Sequence, residues 1–141
     1  MLFANFRKVA AACRANGGHI ALEWPRNCTY WKQRLVTRFL RQYELEFHDF
    51  DGCMYDLRSS ALRTDGLLIK KPWRIASDIS TFTYLRRKCD HSPDEHTRCA
   101  GSDTKMSEGY TNSLAAEIHT CFAVHAYSLS SGGYVPYLVD S

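Results

Sequence analysis

The chain has 141 residues, of which 45% are hydrophobic and 13% aromatic, and this composition excludes an intrinsically disordered polymer. The length predicts one domain over residues 1–129, followed by a flexible tail over residues 130–141. Eighteen Lys and Arg against fifteen Asp and Glu give a formal charge of +3, which permits a nucleic-acid partner without requiring one. No membrane partner is expected, because no run approaches the roughly 18 apolar residues of a spanning helix.

The six cysteines are scattered along the chain instead of densely paired. That usage favours reduced thiols or a metal site over a disulfide scaffold. The N-terminus also lacks the order of a secretory signal peptide, since Arg14 interrupts its apolar run. We therefore expect an intracellular protein of the cytoplasm or nucleus.

Helical and strand-like patterns alternate through the first half of the chain. Phe3 to Cys13 recur at helical spacing before the stop signal Asn16-Gly17-Gly18, and a short apolar strand then ends at Glu23. Thr29 is the expected N-cap of a second helix with Trp31, Leu35 and Phe39 on its apolar face. Leu45 to Phe50 is predicted to be the next strand, followed by a turn at Asp51-Gly52.

The second half is less regular. Strand pieces are predicted at 67–69 and 73–76, with Pro72 at an edge or a strand start, and Asp78 is expected to cap a short helix over 79–87. Residues 88–109 form a polar Cys/His-rich insertion, and Thr111 is expected to cap the last helix. The helix-strand-helix-strand order predicts an α/β fold, an incomplete Rossmann-like parallel sheet with flanking helices and a Cys/His-containing loop.

Glu23 is the leading candidate for a catalytic residue. Ligands collect at the carboxyl ends of strands in open parallel sheets, and a carboxylate beside Trp24 would have a raised pKa and could transfer a proton. The alternative is an exposed loop acid or an ion-pair partner of Arg26.

The polar insertion contains a possible zinc site. Cys89, His91, His96 and Cys99 give the spacing C-x-H-x4-H-x2-C, with four ligands of the kind that Zn²⁺ prefers. The alternative is a solvated loop with free thiols and surface histidines.

The segment Lys70-Lys71-Pro72-Trp73-Arg74, which we call the basic strand, places three cations around an aromatic ring. Such a set can pair phosphates and stack a base, so Lys70, Lys71, Trp73 and Arg74 are candidate nucleic-acid-binding residues. Arg34, Arg38 and Arg41 could extend the patch. The alternative is a solvated charged face.

The order Ile20-Ala21-Leu22-Glu23-Trp24-Pro25, helix, Phe50 to Tyr55, then the basic strand resembles the C-terminal half of a cytosine-5 DNA methyltransferase. The resemblance implies that Glu23 corresponds to the family's base-contacting Glu, although Trp24-Pro25 replaces Asn-Val. The Glu-Trp-Pro, Asp-Gly-Cys and Lys-Pro-Trp-Arg signatures also resemble an uncharacterised domain of chains associated with mobile genetic elements. The family's Pro-Cys nucleophile and S-adenosylmethionine loop would precede Met1, so this cofactor is expected only if an N-terminal half is supplied.

Three functions follow as hypotheses. The first is a methyltransferase-like remnant or C-terminal half that associates with nucleic acid and is inactive alone, with a second copy or a complementing chain covering its exposed sheet edge. The second is a non-catalytic, zinc-organised module that binds nucleic acid or protein. The third is a nuclease-type enzyme in which Glu23, Asp49 and Asp51 hold a divalent metal.

Overall fold

The computed structural model of the chain describes residues 2–131, and the predicted tail lies outside them from residue 132 onward. The helices and strands of this region are α1 (Leu2–Ala15), β1 (Ala21–Pro25), α2 (Arg34–Gln42), β2 (Glu46–Asp51), β3 (Leu68–Ile69), β4 (Pro72–Ser77), β5 (His96–Thr97), α3 (Ser102–Met106) and α4 (Asn112–Ser130). Short 3₁₀ segments occupy Thr29–Lys32, Gly52–Tyr55, Ser80–Leu85 and Pro93–Glu95. Among residues 2–131, no helix combines the length and apolarity needed to cross a membrane.

The main sheet has the order β1-β4-β2, and the α/β class is confirmed. Its hydrogen-bonded neighbours are antiparallel, which differs from the expected parallel sheet, and a Rossmann-like arrangement is not confirmed. The strands β1 and β2 do run parallel to each other, but β4 lies between them. Both faces of β4 are covered, with Trp73 and Ile75 buried on one face and Ala76 on the other, and this two-sided burial suits a central strand. Pro72 begins the strand, where its missing N–H removes the fewest ladder bonds.

Each face of the sheet has its own apolar core. The core on one face joins the sheet to α4 and the 3₁₀ segment Ser80–Leu85, and it contains Phe50, Tyr55, Leu57, Ile69, Trp73, Ile75, Ile79, Phe82, Leu85, Leu114 and Cys121. The core on the other face joins the sheet to α1 and α2, and it contains Ala10, Ile20, Leu22, Trp31, Val36, Phe39, Leu40, Leu45 and Ala76.

Two local predictions from the first half of the sequence have different outcomes. The stop after α1 is confirmed, since Gly17 has a φ of +77°, a conformation that few other residues adopt. The continuous helix from Thr29 is wrong, because extended backbone at Gln33 separates Thr29–Lys32 from α2. This break changes the helical phase, so Leu35 is 55% exposed and Val36 is buried instead.

Of the two helix caps predicted in the second half of the sequence, one is confirmed and the other is wrong. Thr111 caps α4 as predicted, and its Oγ1 accepts a hydrogen bond from the Leu114 N–H at 3.1 Å. Asp78 does not cap the following 3₁₀ segment. Its carboxylate instead accepts from the Ile20 N–H at 2.8 Å and pairs with Arg14 and His19, so it ties β1 and α1 to the end of β4.

Candidate metal centre

Four metal-ligating side chains converge beside the end of β2. The Sγ atoms of Cys53 and Cys89 and one ring nitrogen each from His91 and His96 lie within 4.8 Å of one another. Cys53 is buried, and the other three side chains are half-buried. We refer to these four residues as the Cys/His cluster.

The backbone after β2 positions Cys53. The strand ends at Asp51, and the 3₁₀ segment Gly52–Tyr55 turns the chain at once into the protein interior. A Cβ at Gly52 would lie 2.8 Å from the Leu57 side chain, so any larger residue would have to displace that buried side chain. The Gly52 N–H donates to the carbonyl of Lys70 at 2.7 Å, which fixes the turn against the chain just before β4.

The loop that supplies the other three ligands is fastened at both ends. At its start, the Cys89 N–H donates to Asp51 Oδ2 at 2.9 Å, and the opposite oxygen of this buried carboxylate accepts from Arg26 at 3.0 Å. At its end, β5 pairs with β3 and sets His96 opposite Leu68. These contacts hold the ligands close together without any help from the ligand atoms themselves.

A hydrogen bond also orients one of the rings. His96 Nδ1 lies 3.0 Å from the carbonyl oxygen of Ser92, so Nδ1 is the donor and Nε2 presents its lone pair to the cluster. The Ser92 N–H in turn donates to the Glu95 carboxylate at 2.8 Å, which closes the turn that carries this carbonyl. Such outer contacts are typical of histidines that bind metal.

Two separations between ligand atoms match those of a tetrahedrally coordinated metal ion. Zinc–sulfur bonds of about 2.3 Å and zinc–nitrogen bonds of about 2.0–2.1 Å imply a sulfur-to-nitrogen separation of about 3.6 Å. The measured separations from Cys89 Sγ are 3.6 Å to His91 Nδ1 and 3.4 Å to His96 Nε2. Without a cation, burial and the neighbouring Cys89 thiol raise the pKa of Cys53 to about 12, so its thiol is protonated. Two cysteines and two histidines that converge in this way could hold a metal ion.

Cys99, the fourth ligand in the sequence-based prediction, lies outside the Cys/His cluster. Its Sγ is 3.2 Å from the Ser107 hydroxyl, and a second contact joins it to the Asp103 carbonyl. Cys99 lies between β5 and α3, where the chain has already left the cluster. Cys53 takes the fourth position, and all six cysteines are free thiols within the described residues.

Glu23 lies in the middle of β1, because the strand continues to Pro25 and does not end at the acid as predicted. Its carboxylate is half-buried, shares a hydrogen bond with Tyr110 and lies beside Lys71. Burial raises the pKa of Glu23 above its ordinary value, which is the direction expected from the sequence. Burial and the same carboxylate raise the pKa of Tyr110 as well.

The basic strand is occupied by contacts within the protein. Trp73 is 2% exposed and belongs to the core, so its ring is not available to stack a base. Lys71 Nζ donates to the carbonyl and hydroxyl oxygens of Ser107, at 2.5 and 3.1 Å. Arg74 binds both carboxylate oxygens of Asp49, at 2.7 and 2.8 Å. Lys70 is exposed, and it is the only cation of this strand whose side chain forms no hydrogen bond or ion pair with residues 2–131.

The three carboxylates proposed for a divalent metal do not converge. Glu23 pairs with Ile75 of β4, whereas Asp49 pairs with Arg74, and adjacent residues of one strand point to opposite faces. Asp49 and Asp51 are also engaged with Arg74 and Arg26. The structure therefore contradicts the hypothesis that these three carboxylates hold one divalent metal ion.

Sequence reasoning missed Cys53 as a ligand, although its position after a predicted strand and an Asp-Gly turn marked it as a residue at a strand end. The spacing of ligands within one loop favoured Cys99, since a distant residue leaves no trace in local spacing.

Comparison with family models, with curated proteins and with solved structures finds no match for this chain.

Proposed function

We propose that this protein is a non-catalytic binding module whose Cys/His loop is organised by a structural zinc ion. The observation that carries the proposal is the convergence of two thiols and two imidazoles at tetrahedral spacing. Cys53 comes from the sheet side and the other three from one loop, so a bound ion would join residues 89–96 to the core.

The donor set favours a structural role over a catalytic one. Catalytic zinc sites keep one position for water or substrate and use three protein ligands, whereas four protein ligands close the coordination shell. Metal binding at such a closed site contributes to folding and leaves recognition to the surface that the fold displays.

Zinc content measured on the purified full chain tests the proposal. We expect about one zinc per chain in the wild-type protein. Cys53→Ser and His91→Gln should each reduce zinc retention by at least about 10-fold in the presence of a competing chelator, because each removes one of the four ligands. The second variant alters a half-buried residue, so it covers the case in which Cys53→Ser fails to fold.

Cys99→Ser is the matched control, because it removes a thiol of the same region that lies outside the cluster. Its zinc content should equal that of the wild type. A wild-type chain that carries no zinc, or a Cys99→Ser variant that loses zinc while Cys53→Ser keeps it, would contradict the proposal.

A methyltransferase-like remnant stays a prediction from the sequence resemblance. Its expected sheet of parallel neighbours is not what surrounds Glu23, since β1 and β4 are antiparallel. The half-buried Glu23 beside Tyr110 and Lys71 is the feature that keeps a proton-transfer role of this acid under consideration.

A further inference from the structure

Cations are concentrated on the two helices that cover one face of the sheet. α1 and α2 contain six of the chain's 18 Lys and Arg residues and none of its 15 Asp and Glu residues. Glu23 is the only acidic residue among positions 1–43, where eight Lys and Arg residues occur. A formal charge of +3 for the whole chain therefore hides a strongly basic N-terminal part.

Five of these helical cations are exposed and unpaired. Arg14 is excluded, because it pairs with Asp78. The other five form no hydrogen bond or ion pair through their side chains with any residue of 2–131, and we call them the basic helix face: Arg7, Lys8, Arg34, Arg38 and Arg41. Because no carboxylate of residues 2–131 forms an ion pair with these five side chains, their charges remain available to an external anion.

The spacing in α2 places its three arginines together. Positions 34, 38 and 41 follow the i, i+4, i+7 pattern and lie on one side of the helix. The buried residues Val36 and Phe39 occupy the opposite side, against the sheet. The arginines consequently point away from the core.

α1 lies next to α2, so the two sets of cations lie on neighbouring helices. The rings of Phe3 and Phe6 each lie 5.6 Å from the ring of Phe39, measured between centroids. Between the helices is a groove of about 380 Å³, with Arg7 and Lys8 on one wall and Gln42 and Tyr43 on the other. Cations beside a half-buried aromatic ring suit a chain of phosphates and bases.

An anionic membrane surface suits these helices less well. Interfacial helices insert a broad apolar face between lipids, but most of the large apolar residues of α1 and α2 are packed against the sheet and each other. Leu2, Val9 and Leu35 are exposed, yet they are three single side chains on two helices and do not form a broad apolar face. The remaining outward residues are mainly charged or small, which favours a polyanion in water.

We infer that the basic helix face binds the phosphate backbone of nucleic acid without sequence preference. The inference rests on the proposed binding-module function and names its partner. It moves the nucleic-acid contact from the basic strand to the helices. The motivating juxtaposition is five unpaired cations on two adjacent helices that contain no acid.

Binding of labelled single-stranded DNA, single-stranded RNA and duplex DNA to the full chain, measured by fluorescence anisotropy between about 50 and 200 mM salt, tests the inference. The triple variant Arg34→Gln, Arg38→Gln and Arg41→Gln should weaken binding by roughly 10- to 100-fold at about 100 mM salt and reduce the salt slope by about 2. Gln keeps helical propensity at these exposed positions, so the fold should persist in circular dichroism.

The matched control is Arg63→Gln, Arg98→Gln and Lys105→Gln, which removes the same charge from exposed sites off the two helices. It should retain at least about half of the wild-type affinity, because electrostatic effects at separated surface sites are screened. Lys70→Gln, the exposed member of the basic strand, should likewise have little effect.

Three results would overturn the inference: no binding to any of the three nucleic acids at about 50 mM salt, equal weakening in both triple variants, or binding only to anionic lipid vesicles. Zinc content is measured on the same preparations. A zinc-loaded chain that binds no nucleic acid overturns this inference alone, and a zinc-free chain that binds through the basic helix face overturns the proposed zinc organisation alone.

Discussion

Asp51 shows how one buried side chain can serve two parts of a site. Its carboxylate is 1% exposed, and its two oxygens accept from the Cys89 N–H and from Arg26. Asp51 therefore anchors the loop of the Cys/His cluster and also binds Arg26, which follows β1. A change at Arg26 would reach the cluster through this single residue. No local pattern in the sequence marked Asp51 for this role, since both partners are distant along the chain.

His48 is a fully buried histidine, and neither nitrogen of its ring has a hydrogen-bond partner among the described residues. It lies on β2, with its ring edge-on to Phe82, and burial, followed by the nearby Arg86, lowers its pKa from 6.5 to about 4. A buried imidazole that makes no hydrogen bond reduces stability relative to an apolar side chain of similar volume. The residue pattern from Leu45 to Phe50 predicted a strand, but it did not indicate that the face of the strand that carries His48 would be fully buried.

The titration of His48 predicts a loss of stability in acid. Between pH 6.5 and about 4 the unfolded chain binds a proton that the folded chain does not, so the free energy of unfolding falls as the pH is lowered. The full effect is about 3 kcal/mol, and it should be absent from His48→Leu. Urea denaturation at several pH values measures the free energy of unfolding of the wild type and of His48→Leu.

The exposed His119 of α4 provides the control for this prediction. His119→Gln should show the same dependence on pH as the wild-type chain. If His48→Leu and the wild type lost equal stability between pH 6.5 and 4, the protonation of another group would be responsible and the prediction would be wrong.

The segment from Thr29 to the end of α2 illustrates how far periodicity alone predicts an element. The sequence predicts a helix with Trp31, Leu35 and Phe39 on one face, and two of these residues are indeed buried. The third is exposed because Gln33 adopts an extended conformation, and such a break leaves the average pattern almost unchanged. Element type was therefore predictable here, whereas the phase of α2 depended on tertiary packing.

The phase of α2 can be tested by truncating two adjacent residues. Val36→Ala removes a buried side chain and should lower the free energy of unfolding by about 2 kcal/mol. Leu35→Ala should change it by less than about 0.5 kcal/mol, since this side chain is mostly exposed. Chemical denaturation distinguishes the two, and a larger effect at Leu35 would restore the continuous helix predicted from Thr29.

At the scale of the whole molecule, the Cys/His cluster joins distant parts of the chain. Cys53 follows β2, and its neighbour Tyr55 is part of the core that also contains α4. The other ligands follow the 3₁₀ segment Ser80–Leu85, which packs on α4. A metal ion at this position would therefore stabilise the folded domain as a whole and not only its loop.

Removal of metal should lower the melting temperature of the complete domain. A chelator should shift the transition of the zinc-loaded chain down by about 10 °C, assuming zinc at roughly 100 times its dissociation constant. The melting temperature of Cys53→Ser should not respond to the chelator. Differential scanning calorimetry provides the measurement, and an unchanged wild-type transition would contradict a structural zinc ion.

The arrangement of strands was the least predictable feature of the fold. Local patterns located the three longer strands, and the parallel relation of β1 and β2 follows from the helical connection that the sequence predicts. The insertion of β4 between them depends on pairings between residues that are about 20 to 55 positions apart, which no periodicity reports. Three members of the Cys/His cluster lie within one loop and were predictable, and the fourth, Cys53, depends on this same long-range arrangement.

The position of β4 also sets an order for assembly during synthesis. The residues of β1 and β2 leave the ribosome before those of β4, and in this sheet neither can bond to the other without it. Both remain edges open to pairing with another chain until β4, which ends at Ser77, has also left the ribosome. A nascent polypeptide that exposes β1 and β2 but not yet β4 would therefore be the form most prone to aggregate, and the one most dependent on chaperones.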